Sequence, residues 1–170
     1  VLASKVLCQG VLLLPGAPMA LAPGVAPRSV VGGDWNGDGK TDLATANSGI
    51  PQVTIRLSQG DGTFKPEVAL PIPGGSIALA RGDWNGDGKS DIASANSEDA
   101  TVSLLLNRGD GTFRAAVTYP VGDKPVGLGS GDLNGDGKLD LVTIADTKRG
   151  NDLSVLLGKG DGTFQPARSF

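Results

Sequence analysis

Short stretches in which hydrophobic residues alternate with polar ones run along most of this 170-residue chain. In the segment 101–107, for example, Val102, Leu104 and Leu106 occupy every second position. Because successive side chains of a β-strand point to opposite faces, this alternation predicts a half-buried strand. The 27 Gly and 11 Pro residues favour tight turns between short strands over packed helices.

A segment of sixteen residues recurs three times. Its copies read GDWNGDGKTDLATANS from Gly33, GDWNGDGKSDIASANS from Gly82 and GDLNGDGKLDLVTIAD from Gly131, at intervals of 49 residues. Self-similarity at a fixed period of this length is the sequence signature of a repeat architecture. We therefore expect three copies of one structural unit.

A second motif, GDGTF, follows each copy of the first. It begins at Gly60, Gly109 and Gly160, at intervals of 49 and 51 residues. The third repeat thus holds two extra residues, which we place in the polar segment 148–152 because loops accept insertions most readily. Asp-Gly pairs readily adopt the positive φ angles of hairpin turns, so this motif predicts a turn between antiparallel strands.

Each unit is predicted to contain four short strands. In the second repeat they are 77–82, 91–95, 101–107 and 112–119. Their connections are too short for crossover helices and suit an antiparallel meander. Four-stranded antiparallel units repeated at this length are typical of the blades of a β-propeller.

The pairing of D-x-N-x-D-G-x-x-D with G-D-G-T-F at this period resembles the FG-GAP or VCBS-type repeat of integrin α-subunit propellers and bacterial secreted proteins. The bacterial type is the closer match, because Phe-Gly…Gly-Ala-Pro is not present literally. The resemblance covers about residues 25–170 and implies an all-β fold, a β-propeller of four-stranded antiparallel blades. The three tandem blades are placed at about 29–76, 77–125 and 126–170.

The N-terminal segment, residues 1–28, has two interpretations. LCQG from Leu7 echoes LSQG from Leu57, which favours a degenerate partial blade. The apolar run near the start, followed by Ala20-Leu21-Ala22, is instead similar to a signal peptide. Three blades plus a partial unit are fewer than the four to eight that usually close a propeller. Closure would require additional blades or association of chains into a homo-oligomer.

The acidic motif places oxygen atoms at alternate positions. Side chains at positions 1, 3, 5 and 9, and the backbone carbonyl of the lysine at position 7, are predicted to converge because alternate residues of a tightly curled loop point inward. The predicted metal ligands are Asp34, Asn36, Asp38, Lys40 and Asp42 in the first loop; Asp83, Asn85, Asp87, Lys89 and Asp91 in the second; and Asp132, Asn134, Asp136, Lys138 and Asp140 in the third.

Calcium is the ion that this donor set predicts. Oxygen donors that include three carboxylates suit a hard cation, and Ca²⁺ accepts less regular coordination than Mg²⁺. Zinc would require Cys or His, and the chain has one cysteine and no histidine. The loop is not an EF-hand, because Thr45, Ser94 and Thr143 stand where an EF-hand has its bidentate glutamate.

The alternative is a loop whose Asp and Asn side chains only cap backbone N–H groups. Self-capping requires one or two of the carboxylates, whereas three carboxylates crowded into one loop repel one another. Their recurrence in three loops favours one Ca²⁺ per loop. The position-9 carboxylate closes the site in the integrin-type loops that this sequence resembles.

Other residues of the two motifs are predicted to be structural. The second position of the acidic motif holds Trp35, Trp84 and Leu133, and we expect packing there because a sugar-stacking site would not accept leucine. The lysine side chains of the acidic loops are expected to point outward. In GDGTF, inter-blade packing is expected of Phe64, Phe113 and Phe164, and a turn role of Asp61, Asp110 and Asp161.

Composition excludes several functions. The net charge is −3 and the 15 Lys and Arg residues are scattered, which argues against nucleic-acid binding. No apolar stretch approaches the roughly 18 residues of a membrane span. Without histidine, Ser-His-Asp and Cys-His mechanisms are excluded within this chain. No acidic pair outside the loops is singled out for glycoside hydrolysis.

The sequence therefore predicts a non-enzymatic, calcium-binding module, secreted or at the cell surface, for adhesion or for binding a protein or carbohydrate. The variable loops 48–52, 97–101 and 147–152 are the predicted ligand surface. The alternative is an accessory propeller domain of a secreted carbohydrate- or lipid-active enzyme. A catalytic domain encoded in the same reading frame would distinguish the two.

Overall fold

The computed structural model describes residues 6–8, 11–13, 25–147 and 150–170, and these residues form strands and connections without a helix. Accordingly, this part of the chain contains no helix that could cross a membrane. The strands are β1 (Val6–Cys8), β2 (Val11–Leu13), β3 (Pro27–Gly33), β4 (Asp42–Asn47), β5 (Gln52–Arg56), β6 (Val68–Pro71), β7 (Ser76–Gly82), β8 (Asp91–Asn96), β9 (Thr101–Leu105), β10 (Val117–Pro120), β11 (Pro125–Gly131), β12 (Asp140–Thr147), β13 (Gly150–Leu156) and β14 (Arg168–Ser169).

Three antiparallel sheets of four strands make up the body of the fold. Strands β3–β6 form blade 1, β7–β10 blade 2 and β11–β14 blade 3, each strand pairing with its neighbour in sequence. This meander confirms the all-β prediction of four-stranded propeller blades. The described residues form an open arc of three blades and do not close a ring.

A separate pair of short strands precedes the blades. Strands β1 and β2 pair antiparallel, with Leu7 opposite Leu12. Residues 1–5, 9–10 and 14–24 lie outside the described residues, so both interpretations of segment 1–28 stay predictions. Lys148 and Arg149, in the predicted insertion, also lie outside them.

The fourth strand of each blade begins later than predicted. In blade 2 it starts at Val117, whereas the alternation placed its start at residue 112. Phe113 pairs with Asn107 in an isolated bridge, and three residues, 114–116, then oppose only two, 105–106. This extra residue is a β-bulge, which interrupts the ladder before regular pairing resumes at Val117.

The core lies between blades, and blade 2 buries both of its faces, one against blade 1 and the other against blade 3. One face of blade 1 packs against the opposite face of blade 2, and blade 2 packs against blade 3 in the same way. At the first interface, Ala44, Val53 and Ile55 of blade 1 meet Ile92 and Leu105 of blade 2. An isolated blade would leave these side chains in water, so stacking is the main hydrophobic contribution to the fold.

The two tryptophans belong to these interfaces. The side chain of Trp35 is 0% exposed and packs against Phe113 of blade 2, with ring centroids 6.0 Å apart. Trp84, 2% exposed, lies in one cluster with Phe164 of blade 3. These contacts confirm buried packing of Trp35 and Trp84 and the inter-blade role of both phenylalanines, whereas the packing expected at Leu133 is not found. Phe64, in blade 1, is half-buried.

Leu133 occupies the same repeat position in blade 3 and is 53% exposed. We expect Trp35→Ala to lower the free energy of unfolding by about 3–5 kcal/mol, because it empties a buried aromatic site. Leu133→Ala is the matched control and should change it by less than about 0.5 kcal/mol. Urea unfolding followed by circular dichroism measures both. Equal effects of the two substitutions would contradict this account of the interface.

Candidate functional site

The acidic motifs and the GDGTF motifs lie at the same rim of the arc. Acidic loops 1, 2 and 3 (residues 34–42, 83–91 and 132–140) join the first and second strands of their blades, and turns 1, 2 and 3 (residues 60–64, 109–113 and 160–164) join the third and fourth. Connections in an antiparallel meander alternate between ends. The connections between second and third strands, which carry the predicted ligand surface, therefore lie at the opposite rim.

Each acidic loop curls around its first aspartate. Asp34 Oδ1 accepts hydrogen bonds from the backbone N–H groups of Gly37 at 2.8 Å and Asp38 at 3.2 Å, and Oδ2 accepts one from Gly39 at 2.8 Å. Gly37 and Gly39 have φ angles of 75° and 77°, a conformation that favours glycine. Loops 2 and 3 repeat this arrangement around Asp83 and Asp132.

The third and fifth positions are also hydrogen-bonded within the loop. Asn36 Oδ1 accepts from the Asp38 N–H at 3.1 Å, and the Asn36 amide donates to Asp38 Oδ2. The Lys40 N–H donates to Asp38 Oδ1 at 2.9 Å, and this bond is the main cause that lowers the pKa of Asp38 below its usual value. The Asp38 carboxylate is therefore held in its charged form.

The lysine side chains do not point outward as expected. Lys40 Nζ lies 3.3 Å from Asp38 Oδ2, and Lys89 and Asp87 are paired at the same distance. The ammonium group is attracted to the negative loop, while the methylene groups of Lys40 lie over Gly60 of turn 1. Both partners are partly exposed, so the pair contributes little stability and is open to exchange with another cation.

The ninth-position aspartate joins the loop to a residue just before the turn of its own blade. Asp42 is fully buried; its Oδ2 accepts from the Trp35 N–H at 2.9 Å and its Oδ1 from the Ser58 N–H at 2.7 Å. Asp91 and Asp140 make the corresponding pairs of bonds. Sequence reasoning assigned these residues only as ligands and missed this structural role.

Negative charges of one loop act on one another. The pKa of Asp91 is raised to about 6, mainly because the carboxyl group is buried. The backbone N–H groups of Asn107 and Trp84 lower this pKa, and the negative charges of Asp87 and Asp83 raise it. Carboxylates that disfavour one another's ionisation are an environment in which a bound cation is favourable. The predicted repulsion is therefore present in loop 2.

The side chains of each acidic loop offer oxygen donors, which is the ligand type that a hard cation prefers. A carboxylate oxygen that accepts one N–H bond retains a second lone pair, so Asp34 Oδ2 and both Asp42 oxygens remain available for metal ligation. Within the described ranges, no group of three or more Asp, Glu, Cys or His side chains already has metal-binding geometry. Binding would require Asp38 to turn away from Lys40, and the convergence of the five donors stays a prediction.

The aspartates of GDGTF are turn residues, as predicted. Asp61 Oδ1 accepts hydrogen bonds from the Thr63 N–H at 2.9 Å and from the Thr63 hydroxyl at 2.5 Å. Asp110 and Asp161 bond Thr112 and Thr163 in the same way. The threonine hydroxyl is the main cause that lowers the pKa of Asp61.

The chain belongs to the FG-GAP-like repeat family, whose model matches residues 34–94, 83–143 and 132–170. The matches begin at the first aspartates of the three acidic loops, so they cover the same repeats as the blades. A search of curated protein sequences gave no significant match.

Two solved structures show similarity over most of the chain. One is an Agrocybe aegerita lectin that recognises non-reducing terminal N-acetylglucosamine: 24% identity, TM-score 0.56, 82% of this chain and 37% of the lectin covered. The other is the V. cholerae biofilm matrix protein Bap1: 21% identity, TM-score 0.39, 84% and 28% covered. The chain thus spans well under half of either protein. The likeness to the lectin shows a common fold.

The structural role of Asp42 can be separated from metal binding. In EDTA, Asp42→Ala should lower the free energy of unfolding by about 2 kcal/mol or more, because the Trp35 and Ser58 N–H groups lose their buried acceptor. Asp38→Ala, in the same loop but exposed, should change it by less than about 0.5 kcal/mol. Urea unfolding curves give both values. A mild effect of Asp42→Ala would contradict the structural role.

Proposed function

We propose that this chain is a calcium-binding, non-enzymatic propeller module that binds a protein or carbohydrate outside the cell. One Ca²⁺ is held by each acidic loop, through the carboxylates at positions 1, 5 and 9, the asparagine at position 3 and the carbonyl at position 7. The observation that carries the proposal is the crowding of three carboxylates in a loop that recurs three times.

Bound calcium would supply the positive charge that neutralises these carboxylates. The chain's own residues prepare the loop for it: Asp34 fixes the curl through three N–H bonds, and Asp42 anchors the loop to turn 1. Because Lys40 competes for Asp38, we expect modest affinity. Extracellular calcium modules bind at about 10⁻⁴–10⁻³ M, which suits the calcium-rich exterior of cells.

The ligand surface is proposed at the rim opposite the calcium loops. Two non-glycine residues there have left-handed backbone conformations, Ala100 with φ 53° and Lys124 with φ 47°. Such strained positions are uncommon and concentrate at functional sites. They lie in the connection between β8 and β9 and in the connection between blades 2 and 3, which extends the loop set that the sequence indicated.

Carbohydrate is the first ligand class to test, because a lectin shares the fold. The chain would be applied to a glycan array and to immobilised matrix proteins, in Ca²⁺ and in EDTA. Lys124→Ala should weaken binding at least about fivefold if the opposite rim is the ligand surface. Lys159→Ala, an exposed lysine at the calcium rim, is the matched control. Equal effects of the two substitutions would place the ligand elsewhere.

Calcium binding itself is tested by counting ions. Calorimetry at millimolar Ca²⁺ should find three ions per chain, and Asp38→Ala should reduce the count to two. The control Asp61→Ala, in a GDGTF turn, should keep three. Because Ca²⁺ binds the folded state, EDTA should lower the melting temperature by several degrees. An absence of heat and of stabilisation at 10 mM Ca²⁺, roughly ten times the weakest expected dissociation constant, would refute the calcium assignment.

A further inference from the structure

The turns of blades 2 and 3 each contact the acidic loop of the blade before them. The Gly111 N–H of turn 2 donates to the Trp35 carbonyl of loop 1 at 2.9 Å, and Phe113 of the same turn packs against the Trp35 ring. The next interface repeats the hydrogen bond, from Gly162 to the Trp84 carbonyl at 2.9 Å. Acidic loops 1 and 2 are therefore each covered by a turn that lies 67 or more residues further along the chain.

This contact reaches a predicted metal ligand. A Cβ atom built on Gly111 would lie 3.6 Å from the Cβ of Asn36, and one on Gly162 would lie 3.4 Å from that of Asn85. On the loop side, a Cβ on Gly37 would lie 3.5 Å from the Gly109 carbonyl oxygen. The turn is thus in van der Waals contact with the stretch that places the position-3 ligand.

Loop 3 has no such cover among the described residues. Leu133 is 53% exposed, and a Cβ on Gly135, the counterpart of Gly37, would have no atom within 4 Å. Yet Asp140 ties loop 3 to turn 3 by the same two bonds as in the other blades, at 3.0 Å from the Leu133 N–H and 2.8 Å from the Gly158 N–H. The three loops are therefore held in the same way within their own blades. They differ in whether a turn of the following blade covers them.

We propose that Phe113 and Phe164 are positioning residues for the calcium sites of the preceding blades, so that calcium binding in loops 1 and 2 is coupled to blade stacking. The inference rests on the proposed function. A loop already ordered by a neighbouring turn loses less conformational entropy when it binds an ion, and by reciprocity the ion strengthens the interface. In a chain of these 170 residues, where no described turn covers loop 3, that loop should bind calcium more weakly than loops 1 and 2.

Single-site chains test the coupling directly. In the Asp87→Ala/Asp136→Ala background only loop 1 remains intact, and calorimetry then reports its dissociation constant alone. Phe113→Ala should raise that constant at least about fivefold, the lower end of typical coupling between sites. Phe164→Ala, the same substitution in turn 3, which covers loop 2 and not loop 1, should change it less than twofold. Phe113→Leu, which keeps most of the buried volume, should restore binding.

Two measurements distinguish a loss of folding from a loss of calcium binding. Circular dichroism in EDTA verifies that each variant is folded, and the chains that retain only loop 1, 2 or 3 give a comparison without any interface substitution. There the dissociation constant of loop 3 should exceed those of loops 1 and 2 by at least about fivefold. Absence of calcium binding to the unsubstituted chain would refute the proposed function. Normal binding with three equal sites, or equal effects of Phe113→Ala and Phe164→Ala on loop 1, would overturn only the coupling.

Discussion

Mutual repulsion between carboxylates at one rim is the constraint on which this molecule depends. Each acidic loop confines three of them, and one of the three is buried completely in every blade. The buried aspartate is satisfied by two backbone N–H groups, which join the loop to the turn of its blade. Backbone donors stabilise the charge only in part, as the raised pKa of Asp91 shows. The lysine of each loop offsets part of this charge, and a bound cation would lower the energy of the arrangement further.

The same rim also holds the blades together. Acidic loops 1 and 2 place Trp35 and Trp84 against the next blade. The turn of that blade packs a phenylalanine in the same cluster and donates a glycine N–H to the tryptophan carbonyl. Apolar burial between blades and hydrogen bonding between motifs therefore coincide in space. This coincidence explains why the two motifs recur together at one period: each is half of a contact between neighbouring repeats.

Much of the fold could be predicted from the sequence, because its signals are local or periodic. Alternation in segment 101–107 indicated a strand, the period of the two motifs indicated blades, and leucine in place of tryptophan indicated packing at that position. Three features could not be predicted. The bulge after Phe113, the return of Lys40 onto Asp38 and the second role of Asp42 depend on contacts that only the assembled blade creates.

The most direct test of the account is a crystal structure of the chain grown in millimolar calcium. We predict one ion in each acidic loop, with Asp38 turned from the Lys40 ammonium towards the ion and with the bonds of Asp42 to the Trp35 and Ser58 N–H groups retained. Acidic loops that keep their lysine–aspartate pairs and hold no ion at that concentration would contradict the central claim.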